Sequence, residues 1–569
     1  MTVSFSRGRW MLACALLFQA TLAGAQQVPD AGTILRQQPA PPQTAPAKPP
    51  VLKPAAPAPA PADSGPRILV KGFRIRGATL IPEAELTAQL RDSIGQQLSM
   101  QQLRARALVL VGYYAQKGYL ARVILPPQDV KDGIVELQVI EGKRGGIGGE
   151  RKGARIDAER VRRFVEERLP HGAPMNLAKL GEALNILNEQ PGVSVTSSLA
   201  PGKAESEIDI ALAATERPLL AYSLGANNSG SRGSGEYQAT GSAVLNNPSG
   251  SFDALSALIN SSEGSDYGRL DYGFAVGDRG LRLSTNISKL HYRLVQSNFA
   301  ALQASGTADT AGLALSYPLA RRNELSLSLA ASLDHKRLMD RSVVGETGNR
   351  SVDVAGLGLS GYTLVDTAWM QGVVPFGANL NWGKMNQHNA GALAADQAGR
   401  RVEGGYAKLA YNAGLMRSLS AKWRFNATLR GQLASKNLDS SERLSLGGPD
   451  AIRAYPVGEA LGDEGWISSF NFDYEASNPL TLSVFVDLGQ VYVNHRAFDG
   501  WNAGNPRLPN RYELAGAGVG AGWRFAPQAL LSLSLAAPIG NNPAAGASGN
   551  DSDNRRRAVR GWLSLSTQF

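Results

Sequence analysis

Over roughly the last 350 residues the chain keeps returning to a period of two, with apolar and polar side chains alternating segment after segment. From Glu324 to Leu333, Leu325, Leu327, Leu329, Ala331 and Leu333 fall on one face and Ser326, Ser328, Ala330 and Ser332 on the other. Leu281, Leu283, Thr285 and Ile287 alternate in the same way with Arg282, Ser284, Asn286 and Ser288, and Leu531, Leu533 and Leu535 with Ser532 and Ser534. Successive side chains of a strand point to opposite faces, so each segment has one oily and one wet side. One such strand would suit the edge of a soluble sheet. A long series of them, each about 9 to 11 residues, predicts a barrel with lipid outside and a polar lumen inside.

Sixteen segments fit, near 219–228, 236–245, 253–263, 267–276, 281–295, 307–320, 323–336, 351–365, 372–386, 404–418, 423–436, 466–476, 481–493, 514–526, 530–540 and 561–569. An even number is what closure of a bacterial barrel usually requires. The connections alternate as well. Asn246-Asn-Pro-Ser-Gly250, Gly277-Asp-Arg-Gly280, Ser477-Asn-Pro-Leu480 and Pro527-Gln528 are tight turns, whereas 387–403, 437–465, 494–513 and 541–560 are long. Short periplasmic turns and long extracellular loops alternate in this manner. The last strand ends on the aromatic Phe569.

The N-terminus carries Arg7 and Arg9, an apolar run from Trp10 to Leu22 and then Ala23-Gly24-Ala25, the form of a cleaved export signal covering residues 1–25. The single cysteine, Cys14, lies inside that signal, so the mature chain is expected to hold no disulfide, thiolate metal site or cysteine nucleophile. Asp30 to Gln38 has the makings of two helical turns with Asp30 as N-cap, and 10 of the 31 prolines then fall between Pro39 and Pro61, in a Pro/Ala-rich linker that extends the stretch 26–66. The formal charge of +10 is scattered rather than gathered into a basic stripe, which points to an anionic membrane surface and not to nucleic acid.

From Arg67 one order of elements occurs twice. A strand-like stretch from Ile68 to Arg76 leads to a helix from Pro82 to Arg91. A second helix opens on a Ser99/Gln102 capping box, carries Leu103, Ala107, Leu110 and Tyr114 at helical spacing, and stops at Gly118. Strands Leu120 to Leu125 and Ile134 to Ile140 complete the unit. A Gly-rich strand near 144–153, helices Asp157 to Leu169 and Asn176 to Gln190, and strands Val193 to Leu199 and Glu207 to Ala213 repeat the plan.

Two β-α-α-β-β units before a barrel resemble the polypeptide-transport-associated (POTRA) domains of the Omp85 superfamily. Gly118-Tyr119, Leu125-Pro-Pro-Gln128, Gly133 and Val139-Ile-Glu-Gly142 are similar to the first POTRA domain of two-partner secretion transporters. Asn176-Leu177, Leu180, Pro191-Gly192-Val193 and Leu199-Ala-Pro-Gly202 are similar to the second, and Asn228-Ser-Gly-Ser231 to the opening of the barrel. The resemblance covers residues 67–569. It implies an outer-membrane β-barrel of 16 antiparallel strands over 217–569, preceded by two periplasmic POTRA domains at 67–142 and 143–216. The implied function is export of one large, unfolded exoprotein of the adhesin or haemolysin type without nucleotide hydrolysis. An Omp85-type insertase that assembles other outer-membrane proteins is the alternative; only two POTRA units and the Pro-rich leader argue against it.

The resemblance also implies site residues. The tip of the long loop 437–465 carries Ile452-Arg453-Ala454-Tyr455, where the family has Val-Arg-Gly-Tyr; Ala454 disfavours a positive φ there and is expected to alter the tip's turn. In strand 481–493 the alternation sends Asp487 to the lumen, and Phe485-Val-Asp-Leu-Gly489 resembles the family's partner for the loop arginine. Strand 466–476 places Asp473 and Glu475 on the lumenal face as well, predicting a negative wall that Arg453 meets. Ala121, Arg122, Val123 and Ile124, with Val193, Ser194, Val195 and Thr196, are expected at POTRA sheet edges, open to an extended client. Phe569 resembles the signal read by the barrel-assembly machinery. The family's N-terminal plug helix is longer than Asp30 to Gln38, so a full-length plug is not expected. The partners implied are the exoprotein, outer-membrane lipid with lipopolysaccharide, and the assembly machinery.

Enzyme chemistry has no foothold. G-x-S-x-G, a Walker loop and H-E-x-x-H are absent, and His171, His291, His335, His388 and His495 lie without ligand spacing, so no cofactor, metal or catalytic residue is expected.

Overall fold

The computed structural model describes residues 28–40, 66–130, 132–367, 370–546 and 548–569. The expected export signal and most of the Pro/Ala-rich linker lie outside the described residues. Sixteen antiparallel strands close into a barrel, beginning with Leu220–Asn227 and ending with Arg560–Gln568. All sixteen segments anticipated from the alternation are strands. Several run further at their extracellular ends, as in Leu325–Ser342 and Gly345–Asp366, because long strand pairs continue above the lipid-facing zone. Closure joins Ser564–Gln568 to Ser223–Asn227 over five residue pairs, a short seam beside the eighteen pairs between Leu325–Ser342 and Gly345–Asp366. Phe569 lies at that seam: its backbone exchanges hydrogen bonds with Tyr222 at 2.9 and 3.1 Å, and the two rings stack at 4.9 Å.

Before the barrel come two small α/β units. In the first, β1 (Arg67–Leu69), β2 (Gly72–Arg76), α2 (Glu83–Ala88), β3 (Gln97–Ser99), α3 (Met100–Gln116), β4 (Ala121–Ile124) and β5 (Ile134–Glu141) follow in order, α1 being the N-terminal helix Ala31–Arg36. The continuous strand expected from Ile68 to Arg76 is broken: β1 pairs with β3 in a separate ribbon, and only β2 joins the main sheet, in the order β2-β5-β4. Ser99 and Gln102 form the expected capping box, and Gly118 takes the positive φ that ends α3. The core is Phe73, Leu86, Leu103, Leu110, Tyr114 and Leu137.

The second unit comprises β6 (Lys143–Lys152), α4 (Ala158–Glu166), α5 (Leu177–Asn188), β7 (Val193–Pro201) and β8 (Glu207–Glu216), with sheet order β6-β8-β7. Its core of Phe164, Leu180, Leu184, Leu187, Val193 and Ile210 accepts Phe252 from the first barrel turn, fully buried and edge-on to Phe164 at 5.7 Å. Arg160 and Arg163 bind Asp278 of the next turn at 3.2 and 2.8 Å, and Arg321 binds Glu189 at 2.6 Å. The unit is thereby locked beneath the barrel's short turns, which fixes the opposite, long-looped end as the outer one.

Candidate functional site: a clamped loop in the barrel lumen

The lumen is occupied. Between the strands Trp423–Ala434 and Glu464–Ser477 the chain turns inward, and Leu446, Ile452, Ala454 and Tyr455 pack with Phe485, Tyr512 and Leu514 of the wall. Arg453 is held by a fork. Its Nε donates to Asp487 Oδ2 at 2.8 Å, its Nη2 to Asp487 Oδ1 at 2.7 Å, and its backbone N–H to Oδ2 at 3.0 Å. Ser469 Oγ donates to Oδ1 at 2.8 Å, so the fully buried carboxylate of Asp487 accepts four hydrogen bonds. The guanidinium also donates to Asn471 Oδ1 at 2.9 Å and lies over the Phe485 ring at 3.3 Å, a cation–π contact. Trp562 of the last strand donates from Nε1 to the carbonyl of Arg453 at 2.8 Å. Both ionic groups are thus satisfied by geometry suited to a low-dielectric setting.

Asp473 and Glu475 do not meet Arg453, which corrects the expected negative wall. They share lumenal parity with Asn471 but lie two and four residues toward the periplasm, about 7 to 13 Å along a strand. Asp473 instead accepts from Asn426 Nδ2 at 2.7 Å. Nor does Ala454 disturb the tip. It is not among the residues of positive φ, so its backbone is ordinary, and its buried methyl faces Gly516, where a Cβ would come within 2.6 Å of it. Tyr455 is buried behind it.

A second clamp was not legible in the sequence. Helix α1 lies inside the barrel, its Ala31 and Ile34 buried with Leu290, Tyr292, Leu338 and Val352. It presses on the same inward loop so closely that a Cβ at Gly32 would come within 2.3 Å of Ser440. Arg350 organises the contact: it binds Asp30 at 2.7 Å, Asp340 at 2.7 Å and Asp439 at 2.6 Å, linking helix, wall and loop through one buried guanidinium. Burial opposes the charge of Asp30, but Arg350 and hydrogen bonds from Ser440 and Thr33 hold its carboxyl below the usual range. Glu442, deeper in the loop, pairs with both Lys336 and Lys408. The residues come from strands and loops far apart in the chain, and only the expected N-cap at Asp30 gave any sign of the clamp.

The sheet edges are where they were expected. β4, with Ala121, Arg122, Val123 and Ile124, and β7, with Val193, Ser194, Val195 and Thr196, each pair on one side only within their sheets.

A closed outer-membrane barrel with tandem α/β domains at one mouth and a loop clamped in its lumen defines a protein-translocating transporter. The family described as "Haemolysin secretion/activation protein ShlB/FhaC/HecB" matches residues 205–523, more than half the chain, and the ShlB-type POTRA domain matches residues 68–142. The chain belongs to that family, and it is a two-partner secretion transporter of the outer membrane that pairs with a large secreted exoprotein. Its relatives include the heme/hemopexin transporter protein HuxB of Haemophilus influenzae, 26% identical over 80% of this chain and 81% of that protein. The hemolysin transporter protein ShlB of Serratia marcescens is 24% identical over 84% and 83% of the two chains. Among solved structures, CdiB from Escherichia coli superposes with a TM-score of 0.69 over the whole of both chains at 18% identity. BamA from Haemophilus ducreyi reaches 0.51 over 88% of this chain and 100% of that one, also at 18% identity, a likeness of fold alone.

Proposed function

We propose that the transporter takes up its exoprotein unfolded, by strand addition to β4 and β7, and passes it through the lumen without nucleotide hydrolysis. The observation that carries this reading is the pairing of two open sheet edges at the periplasmic mouth with a lumen filled by separable segments, α1 and the clamped loop. Backbone pairing at an edge gives affinity with little demand on sequence. The Arg453–Asp487 clamp holds the loop tip in one position and so defines the wall along which the client moves. Folding of the exoprotein outside then prevents its return.

In this reading residues 1–25 are an export signal, 26–66 a leader containing α1, 67–142 and 143–216 the two POTRA domains, and 217–569 the barrel. Phe569 serves as the mark read by the barrel-assembly machinery, lipopolysaccharide contacts the outer half of the barrel wall, and the chain performs no covalent chemistry. Proteoliposomes containing the full chain should take up the unfolded partner with no nucleotide present; an absolute requirement for ATP would overturn the proposal.

A further inference from the structure

On the outer wall, the strands Leu281–Arg293, Ser305–Arg321, Leu325–Ser342, Gly345–Asp366 and Gln371–Gln387 change character along one sharp line. Below it the lipid-facing positions are apolar. Leu313, Leu333, Ala355 and Trp382 form the topmost row, joined by register, with Leu315, Ala331, Leu357 and Leu380 beneath. In the next row up, the same register joins Ala311, His335, Asp353 and Lys384, and in the one above it Asp309, Arg337, Ser351 and Asn386. These side chains face outward, for they share parity with Leu313, Leu333 and Trp382, which are 45%, 59% and 49% exposed. Val352, Val354 and Leu338 on the opposite parity are buried inside.

Cations on a barrel's lipid face cost about 2–4 kcal/mol at mid-bilayer and almost nothing at its boundary. The line therefore marks the edge of the hydrocarbon. It lies at the end away from the POTRA units, so it borders the outer leaflet. At the line a groove of about 650 Å³ opens among Leu313, Leu333, Ala355, Trp382 and Lys384. Ala311 and Ala355 leave its floor low, and Trp382 with Leu333 makes walls suited to an acyl chain. Around its upper rim Asp353 is engaged by His335 at 2.7 Å and Asp309 by Lys289 at 3.6 Å, whereas the exposed Arg337 and Lys384, which face Asp309 and Asp353 across the strands, make no ion pair among the described residues. Two exposed cations that are not closed into ion pairs, standing above an apolar groove, match an anionic headgroup with acyl chains below it.

We propose that this face is a binding site for lipid A, the phosphorylated, multiply acylated glycolipid of the outer leaflet, with Arg337 and Lys384 receiving phosphate and the groove receiving an acyl chain. The proposal rests on the lipopolysaccharide contact suggested above and gives it a place on the barrel. Full-length protein in nanodiscs of phosphatidylethanolamine with a small fraction of lipid A would be titrated and bound lipid A counted by native mass spectrometry. Each cation at an anionic membrane surface is worth about fivefold, so Arg337→Gln combined with Lys384→Gln should weaken retention roughly 25-fold. Ala311→Leu, which fills the groove without changing charge, should weaken it too, while Lys422→Gln at a periplasmic turn should not. Heat-modifiable migration verifies that each variant is a folded barrel, and the two independent routes, charge and volume, guard against one of them failing to fold. Wild-type levels of lipid A on both variants would overturn the site while leaving lipopolysaccharide contact elsewhere intact. Absence of lipid A from the wild type would overturn that contact as well, and equal displacement by phosphatidylglycerol would overturn the assignment to lipid A.

Discussion

Replacing Arg453 by Ala removes the fork to Asp487, the hydrogen bond to Asn471 and the contact with Phe485 in one step. What remains is a carboxylate with no exposure, supported by Ser469 and the backbone N–H of residue 453. Stranding one member of a buried pair costs about 3–5 kcal/mol. The inward loop therefore loses a factor of about 10² to 10⁴ in its preference for the clamped position. Asp487→Ala should be milder, because Arg453 is 15% exposed and keeps Asn471 and the Phe485 ring. Removing both should recover part of the loss, since no buried charge is then left alone. Secretion of the exoprotein would be measured in cells alongside heat-modifiable migration of the barrel in outer-membrane fractions. Expected is abolished secretion with an inserted barrel for Arg453→Ala, weakened secretion for Asp487→Ala, and a double variant better than the sum of the two losses. Near-normal secretion by the Arg453 variant, or strictly additive losses, would refute the clamp as the element that positions the loop.

Gly516→Ala should impair secretion through an overpacking penalty of about 1–3 kcal/mol against Ala454, and Ala454→Gly in the same chain should restore it; lack of rescue would show that the two do not meet in the working protein. Removing Phe569 should reduce the yield of folded barrel in the outer membrane, and an unchanged yield would leave the stacking on Tyr222 as packing alone. In the first POTRA domain, burial opposes the charge of Glu141, but hydrogen bonds from Thr79, Leu80 and Tyr114 hold its carboxyl below the ordinary value of 4.5. A depressed carboxyl stabilises the folded state above its unfolded pKa, and that gain is lost as pH falls through the folded one. Hydrogen exchange corrected for intrinsic rates should show β5 and α3 loosening below about pH 4.5 in the wild type, and Glu141→Gln should remove most of that dependence.

Periodicity alone determined the sixteen strands, because alternation is a local property and lipid on one side punishes any slip of register by turning every side chain to the wrong face. Capping and stop residues likewise determined the ends of α3, since Ser99, Gln102 and Gly118 act within a turn or two of themselves. Parity also assigned Asp487 to the lumen, but parity cannot measure depth. Tertiary structure decided that Arg453 meets Asp487 and Asn471 and leaves Asp473 and Glu475 unvisited, because the loop's reach down the barrel is set by how Leu446, Ile452 and Tyr455 pack against the wall. It decided the break between β1 and β2, where pairing with the distant β3 outcompeted a continuous strand. It alone created the Arg350 hub, whose aspartates at 30, 340 and 439 come from three separate parts of the chain. A buried charge network is a property of where the chain closes on itself, and closure is a long-range event that no window of neighbouring residues contains.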